Sequence, residues 1–291
     1  MSWKIYSWVW QLLSPVHVGT TPAGSLNRTR LYVPARTLWG ALTAQLARKE
    51  AGDAPPDYGG TGERLSEKCR FSYLFPAQKE GERYLAWLPR YEDAEGRGLV
   101  WHREDNEGNK KADREFRLWM LTVRPGTAIS PSTDAALEAT LREYELLADW
   151  SFWGKQKVPQ PVFLKGYVFC READVEAEVL EMEELFLGGD TRYGLGRVRR
   201  VHLDGQPPEG FFGKPLDLSN REPMVSTDTL LAHAAVQEVA NTGLSGAREQ
   251  LVEWDNGQLK AGPLAWVPGS RTQSDPLKWK IGEGNLWEPF F

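Results

Sequence analysis

At the start of the chain, Tyr6, Trp8, Trp10 and Leu12 alternate with Ile5, Ser7, Val9 and Gln11, a period of two that predicts a strand. "SPVHVGTTPAGSLNRTRLYVP" follows; its Gly, Pro, Ser and Thr content predicts a long loop. From Ala35 to Ala51 the period changes: Leu38, Leu42 and Leu46 share one helical face, and Gly52 stands where that helix would stop. "CRFSYLFP" and "RYLAWLP" read as two further strands. The charged stretch of about residues 90–117, containing "EDNEGNKKADRE", has neither period and reads as an exposed insertion. "LWMLTVRPGTAISPSTDAALEATLREYELLADWSFW" predicts strand, projecting hairpin (about residues 125–138) and strand. "VFLKGYVFC" is another strand. "ADVEAEVLEMEELF" is an amphipathic helix with Val175, Val179, Met182 and Phe186 along its seam. A glycine-rich arc then leads into the strand "GRVRRVHL".

This order gives an α+β fold, an elaborated β-α-β-β-α-β ferredoxin-like pattern, over residues 1–213. Residues 214–291 form a C-terminal extension. There Thr227 to about Val239 reads as a helix ending at Asn241 to Gly243, followed by a shorter helical piece and an aromatic coil. Trp8 and Trp10 belong to a central strand and to the core. Trp266, Trp279, Trp287, Phe290 and Phe291 stand among Gly and Pro in coil. Aromatics so placed either contact a partner or wrap back onto the parent domain, and both readings stay open.

Composition narrows the class. Of 291 residues, 41% are hydrophobic and 26% charged, as in soluble globular domains. No apolar run approaches the roughly 20 residues of a membrane-spanning helix, and the N-terminus reads as a strand, not a signal peptide. Cys69 and Cys170 make no metal-ligand or disulfide pattern, which fits two free thiols in the cytoplasm. The net charge of −5 argues against a stand-alone nucleic-acid binder, though one basic face on an acidic body is compatible with it.

The candidate chemistry centres on "LFLGGDTRYGLGRVRRV". Gly188, Gly189, Gly194 and Gly196 would let another molecule approach the main chain closely, with Arg192, Arg197 and Arg199 supplying positive charge. Equally, they could do no more than satisfy a tight helix-to-strand turn. A dinucleotide or P-loop reading fails on spacing, because "GLGRVR" lacks the third glycine and no Lys-Ser/Thr pair follows. Arg28, Arg30 and Arg36 flank the first helix, as phosphate contacts or as a solvated basic loop. Lys155, Lys157 and Lys165 read as exposed charge. His102, His202 and His233 are scattered without metal-ligand spacing, and no cofactor or metal is expected.

Three segments together resemble the RAMP superfamily of CRISPR-associated proteins. They are "SPVHVG" closing the first strand, "RLYVPARTLWGALTAQLAR" leading into the first helix, and "GGDTRYGLGRVRRV" after the second helix. The resemblance runs from Trp3 to about Val201. It implies an RRM-like ferredoxin fold in which "GTAISPSTDAALEATLREYELL" looks like the thumb hairpin of the backbone subunits, and in which His17 serves packing. It also implies a guide-RNA-binding subunit of a multisubunit, type III effector complex, with target RNA and other effector subunits as partners. RNA would meet Gly188, Gly189, Arg192, Gly194, Gly196, Arg197 and Arg199, with Arg28, Arg30 and Arg36 near the first helix. Target-cleaving members of the family carry an acidic residue in the loop after the first strand; here "GTTPAGSLNRTR" has neither Asp nor Glu. The first helix has no His for the metal-independent chemistry of the repeat-processing endoribonucleases. The expectation is therefore a non-catalytic subunit, with a repeat-processing endoribonuclease or a protein-only scaffold as alternatives. The segment after Lys214 departs from the family pattern.

Overall fold

The computed structural model describes residues 2–92, 98–153, 157–205, 207, 210–239, 243–255, 258–273, 275–284 and 286–290. Lys155, Phe291, Asn241 and part of the expected insertion (residues 93–97) lie outside the described residues. The first half contains β1 (Lys4–Leu12), β2 (Leu26–Asn27), α1 (Ala35–Ala51), α2 (Tyr58–Lys68), β3 (Cys69–Phe71), β4 (Phe75–Glu80), β5 (Arg83–Glu92), β6 (Gly98–Arg103), β7 (Asn106–Ala112) and α3 (Asp113–Met120). There follow β8 (Leu121–Gly126), β9 (Arg142–Leu147), β10 (Trp150–Ser151), β11 (Gln160–Pro161), β12 (Phe163–Cys170), α4 (Ala173–Leu180), β13 (Glu184–Phe186) and β14 (Arg197–Gly205). The C-terminal part adds β15 (Leu216–Asp217), β16 (Met224–Thr227), β17 (Ala234–Ala235), β18 (Leu244–Ser245), β19 (Arg248–Asp255), β20 (Gln258–Trp266), β21 (Arg271–Thr272), β22 (Leu277–Ile281) and β23 (Trp287–Phe290).

The main sheet runs β13-β14-β1-β12-β4-β5-β6-β7, with β3 also on β12. Its centre, β14-β1-β12-β3/β4, is antiparallel throughout. Counted as strands four, one, three and two, this is the ferredoxin-like order. The strand β1 is buried on both faces, with Trp8, Val9 and Trp10 at 0% exposure, because it has a neighbour on either edge and layers above and below. The α1 stripe of Leu38, Leu42 and Leu46 is buried as its period predicts. Gly52 takes a positive φ of 55° where the helix stops.

Four parts of the chain differ from the sequence expectation. First, "YGGTGERLSEK" forms α2, started by the Asp57 carboxylate accepting the Gly60 N–H at 2.9 Å. Three early glycines, Gly59, Gly60 and Gly62, hide this helix from propensity. Second, residues 98–120 are not an unpatterned insertion. They extend the main sheet by β6 and β7 and bury Trp101 against Phe116 at 4.6 Å. As an edge strand β7 carries Lys and Asn instead of apolar alternation, which keeps the edge from pairing with other chains. Third, α4 ends at Leu180, and Glu184–Phe186 pair with β14 instead of continuing the helix; Phe186 is exposed. Fourth, Thr227 to Val239 is not helical. Leu230, Leu231, Ala232, His233 and Ala234 are all buried in a non-helical stretch that bends at Leu231 and Ala232 before the strand at Ala234, and a continuous buried run carries no period to distinguish strand from helix.

The C-terminal part is accordingly built of strands, not helix and coil. Its sheet β15-β16-β22-β23 places Trp279 and Trp287 at 0% and 2% exposure. Trp287 packs on Phe211 and Trp279 with ring centroids 6.1 and 6.3 Å apart. Trp266 is half-buried and Phe290 exposed. Polar links fasten this part to the first: Trp3 Nε1–H donates to the Arg221 carbonyl at 3.0 Å, and the buried Arg70 guanidinium binds Glu222 at 2.7 Å and Glu283 at 3.1 Å. Cys69 and Cys170 are register partners on β3 and β12, buried and unlinked, with sulfurs 3.9 Å apart. Among the described residues, no helix is long and apolar enough to cross a membrane.

Two core tryptophans in the extension make it part of the folding unit. Trp279→Ala is expected to lower unfolding free energy by about 3–5 kcal/mol, measured by urea denaturation followed by tryptophan fluorescence. Truncation after Gly262 removes β22 and β23 and should give an aggregated or unfolded protein. A soluble truncated chain with unchanged melting temperature would show the extension to be an independent appendage.

Candidate functional site

The three segments that stood out in the sequence converge on one groove of about 740 Å³. One wall is the turn after β1, with His17, Val18 and Gly19; a second is the start of α1, with Pro34, Arg36 and Thr37; a third is Gly188 and Gly189. The C-terminal part closes the remaining side with Glu249 to Glu253 of β19 and with Gly284 and Leu286.

Main-chain hydrogen bonds join the turn to the glycine arc. Gly189 N–H donates to the His17 carbonyl at 2.9 Å and Gly196 N–H to the Pro15 carbonyl at 2.9 Å, while within the arc Leu187 N–H donates to the Gly196 carbonyl at 2.8 Å. This approach leaves no room for a side chain at two positions. A Cβ at Gly188 would lie 2.1 Å from the His17 carbonyl oxygen, and one at Gly196 would lie 2.1 Å from that of Leu187. Both have φ near 80° (80° and 83°), a region costly to other residues. The other two glycines differ: nothing lies within 4 Å of a Cβ at Gly194, and at Gly189 only His17 Cδ2 comes near, at 3.8 Å. So Gly188 and Gly196 are required by the fold itself, whereas Gly189 and Gly194 face open space. His17 is buried, its Nδ1 3.0 Å from the Glu145 carbonyl and its ring edge-on to Tyr144, a packing role.

The start of α1 has no side-chain cap: Pro34 precedes it, and no side chain accepts from its first turn. Its positive end therefore opens onto the groove, an arrangement suited to an anion. The expected arginines separate into three groups. Arg36 is exposed and lines the groove. Arg28, and Arg192 on the short 3-10 turn Thr191–Tyr193, are exposed but do not line it. Arg197 and Arg199 instead both bind Glu184, at 2.9 and 2.7 Å, and together hold that carboxyl below the usual glutamate range. Arg30 lines the groove, but its guanidinium binds Glu249 at 2.9 Å and the Gly19 carbonyl. Lys165 is not exposed charge: it is buried, 2.6 Å from Glu104.

Glu249 belongs to a polar chain that the sequence did not reveal. His233 Nδ1 lies 2.6 Å from the Tyr73 hydroxyl, and its Nε2 lies 2.5 Å from Glu249 Oε1. Burial lowers the His233 pKa, outweighing the adjacent carboxylate. At Glu249 burial works upward, but hydrogen bonds and charge from His233 and Arg30 bring the net shift below the usual range. The chain therefore reads Tyr73 O–H to neutral His233 Nδ1, His233 Nε2–H to the Glu249 carboxylate, and the carboxylate to Arg30. Tyr73 and His233 are 160 positions apart, with no spacing pattern to announce them. The only available clue was a histidine in an apolar run, "LLAHAAV".

A second feature lies outside the groove. The strands β8 and β9 pair from Leu121↔Leu147 to Gly126↔Arg142, and the chain between them leaves Ile129, Leu137 and Leu141 exposed. Among the described residues, no group of three or more His, Cys, Asp or Glu side chains could hold a metal ion.

Comparison with known proteins follows this geometry. The family model of the RAMP superfamily matches residues 11–199, which includes all three converging segments. No curated protein aligns significantly with the chain. Among solved structures, one chain in the cryo-EM structure of the type III-B Cmr-beta bound to cognate target RNA and AMPPnP superposes with a TM-score of 0.54. It shares 15% identity and covers 92% of this chain and 85% of its own. A chain of Cmr-beta bound to cognate target RNA gives 0.53, with 15% identity and coverage of 91% and 86%. At this identity the likeness is one of fold, and it extends through the C-terminal strands beyond the family match.

The glycine geometry separates structural from accessible positions. Gly188→Ala and Gly196→Ala are each expected to destabilise by roughly 2–5 kcal/mol, and Gly194→Ala by about 1 kcal/mol, from its φ of 80° alone. Gly189→Ala should stay within about 0.5 kcal/mol; thermal melts of the four variants check the ranking. The buried polar chain gives a pH signature. His233 stays neutral in the fold while an unfolded chain takes up a proton below about pH 6.5. Its contribution is therefore complete above about pH 6.5 and is lost as pH falls through the lowered folded-state value. Urea midpoints should decline between pH 6.5 and 5, and His233→Gln should lower the midpoint at pH 8 while flattening that decline.

Proposed function

The chain belongs to the RAMP superfamily, and we propose that it is a guide-RNA-binding, non-catalytic subunit of a type III CRISPR effector complex working in the cytoplasm. The observation that carries this reading is the groove. An uncapped helix start, exposed Arg36 and the accessible Gly189 meet at one surface. The unpaired N–H groups and dipole of a helix start bind phosphates without sequence-specific contacts, and Gly189 leaves room for the strand to approach, which suits a subunit that must hold guides of any sequence. The fold-level likeness to chains of an RNA-bound type III-B assembly supports the same reading. In it, the projecting β8–β9 hairpin with its exposed Ile129, Leu137 and Leu141 reaches target RNA or a neighbouring subunit.

The Tyr73–His233–Glu249 chain is the arrangement nearest to acid–base machinery. Tyr73 and His233 are only 3% and 2% exposed. Main-chain groups of His233 are also engaged, its N–H with the Tyr73 hydroxyl and its carbonyl with Trp287 N–H. Tyr73 and His233 both line the groove, but a catalytic group must reach the proton it moves, and both nitrogens of this histidine are already engaged, by Tyr73 and by Glu249. The loop after β1 offers no carboxylate for metal-assisted scission. Both points favour binding without cleavage.

Arg36→Ala and Gly189→Phe should each reduce co-purifying guide RNA several-fold while leaving the melting temperature within a few degrees. The purified chain, incubated with repeat RNA and with target RNA, with and without divalent metal, should release no products. Unchanged RNA content in both variants defeats the groove as the RNA surface. Specific cleavage of repeat RNA would instead make the protein a processing endoribonuclease.

A further inference from the structure

Within the groove one cation is already taken. Arg30 faces the same space as Arg36 and the start of α1, yet its guanidinium is 2.9 Å from Glu249 Oε2. Both side chains are largely buried, at 16% and 19% exposure. Glu249 comes from β19, in the part of the chain beyond the family match, so the carboxylate is supplied by the extension and the cation by the family domain. Its position is fixed from behind by His233 and by pairing of Glu249 with Ala265 across the hairpin. Carboxylate and phosphate offer an arginine the same paired anionic oxygens. One guanidinium nitrogen also donates to the Gly19 carbonyl, which keeps the group aimed into the groove when its carboxylate partner is exchanged.

We propose that Glu249 is an internal competitor for Arg30: in the free protein it holds the guanidinium, and an RNA phosphate entering the groove takes its place. This rests on the groove being the RNA surface. The extension then does more than close one wall. It sets how strongly the groove binds a polyanion, because each phosphate must displace a carboxylate that remains within the same cavity. Weakly held RNA is refused, and only a strand that also engages the helix start and the glycine arc is retained. Glu253, lining the same side, adds negative charge in the same sense without touching Arg30.

The test measures affinity of the full-length protein for a fluorescein-labelled single-stranded RNA of the co-purifying guide sequence, by anisotropy at fixed salt. Glu249→Gln keeps the size and a hydrogen-bond acceptor for His233 while removing the charge. It should bind about five- to tenfold more tightly than the wild type, with thermal melting confirming the fold. Arg30→Ala should weaken binding, and the double variant Arg30→Ala/Glu249→Gln should bind like Arg30→Ala alone, since the gain requires the arginine. Groove-dependent binding, reduced by Arg36→Ala, with no gain in Glu249→Gln overturns the competitor. So does a gain that survives in the double variant, which would mark a general charge effect. If Arg36→Ala leaves wild-type affinity unchanged, the RNA surface is elsewhere and the proposal falls with it.

Discussion

The junction between the turn after β1 and the glycine arc before β14 is the contact on which the site depends. Two main-chain hydrogen bonds, from Gly189 to His17 and from Gly196 to Pro15, bring two segments separated by more than half of the chain to backbone contact. That distance is possible only where neither Gly188 nor Gly196 carries a Cβ. Because β14 and β12 both flank β1, the junction lies at one end of the central strands and beside the start of α1. A turn, a loop and a helix start thus form one rigid surface, and the buried imidazole of His17 fills the space beneath it.

What the chain order made legible was whatever carries a period or a local backbone requirement. The alternation of β1, the Leu38–Leu42–Leu46 stripe, Gly52 as a stop and the crowding of glycines all lie within a few residues of their cause. The missed features have distant causes. The β13 segment is helix-like in composition, but Glu184 sits between Arg197 and Arg199 on β14, and that pairing outweighs propensity. The extension reads as helix and coil because its buried run is continuous and its Trp279 and Trp287 stand among Gly and Pro; only the sheet β15-β16-β22-β23 gives them a place. Of the candidate site, the glycines and Arg36 were visible. The carboxylate partner of Arg30 was not, since Arg30 and Glu249 are 219 positions apart.

The charge balance clarifies how an acidic protein can present a phosphate site. With a net charge of −5, many arginines are committed internally: Arg64 to Glu50 and Glu178, Arg70 to Glu222 and Glu283, Arg103 to Glu80 and Asp105. These pairs hold the fold together and contribute little to a long-range field. The groove draws instead on local sources of positive potential, namely the uncapped turn of α1 and Arg36. Such sources act within a few ångströms and fade beyond the first turn of the helix.

A site built this way has a different character from a basic patch. A basic patch collects any polyanion, with strong dependence on salt. A short-range site of dipoles and one or two cations favours a strand whose phosphates fit the spacing of the turn, the helix start and the arc. On the proposed RNA reading, the extension reinforces that choice, because its Glu249 and Glu253 line the remaining side of the groove with negative charge and disfavour a polyanion that does not fit. In that reading shape does the selecting and charge the rejecting, a division suited to a subunit proposed to hold one kind of RNA strand whatever its sequence.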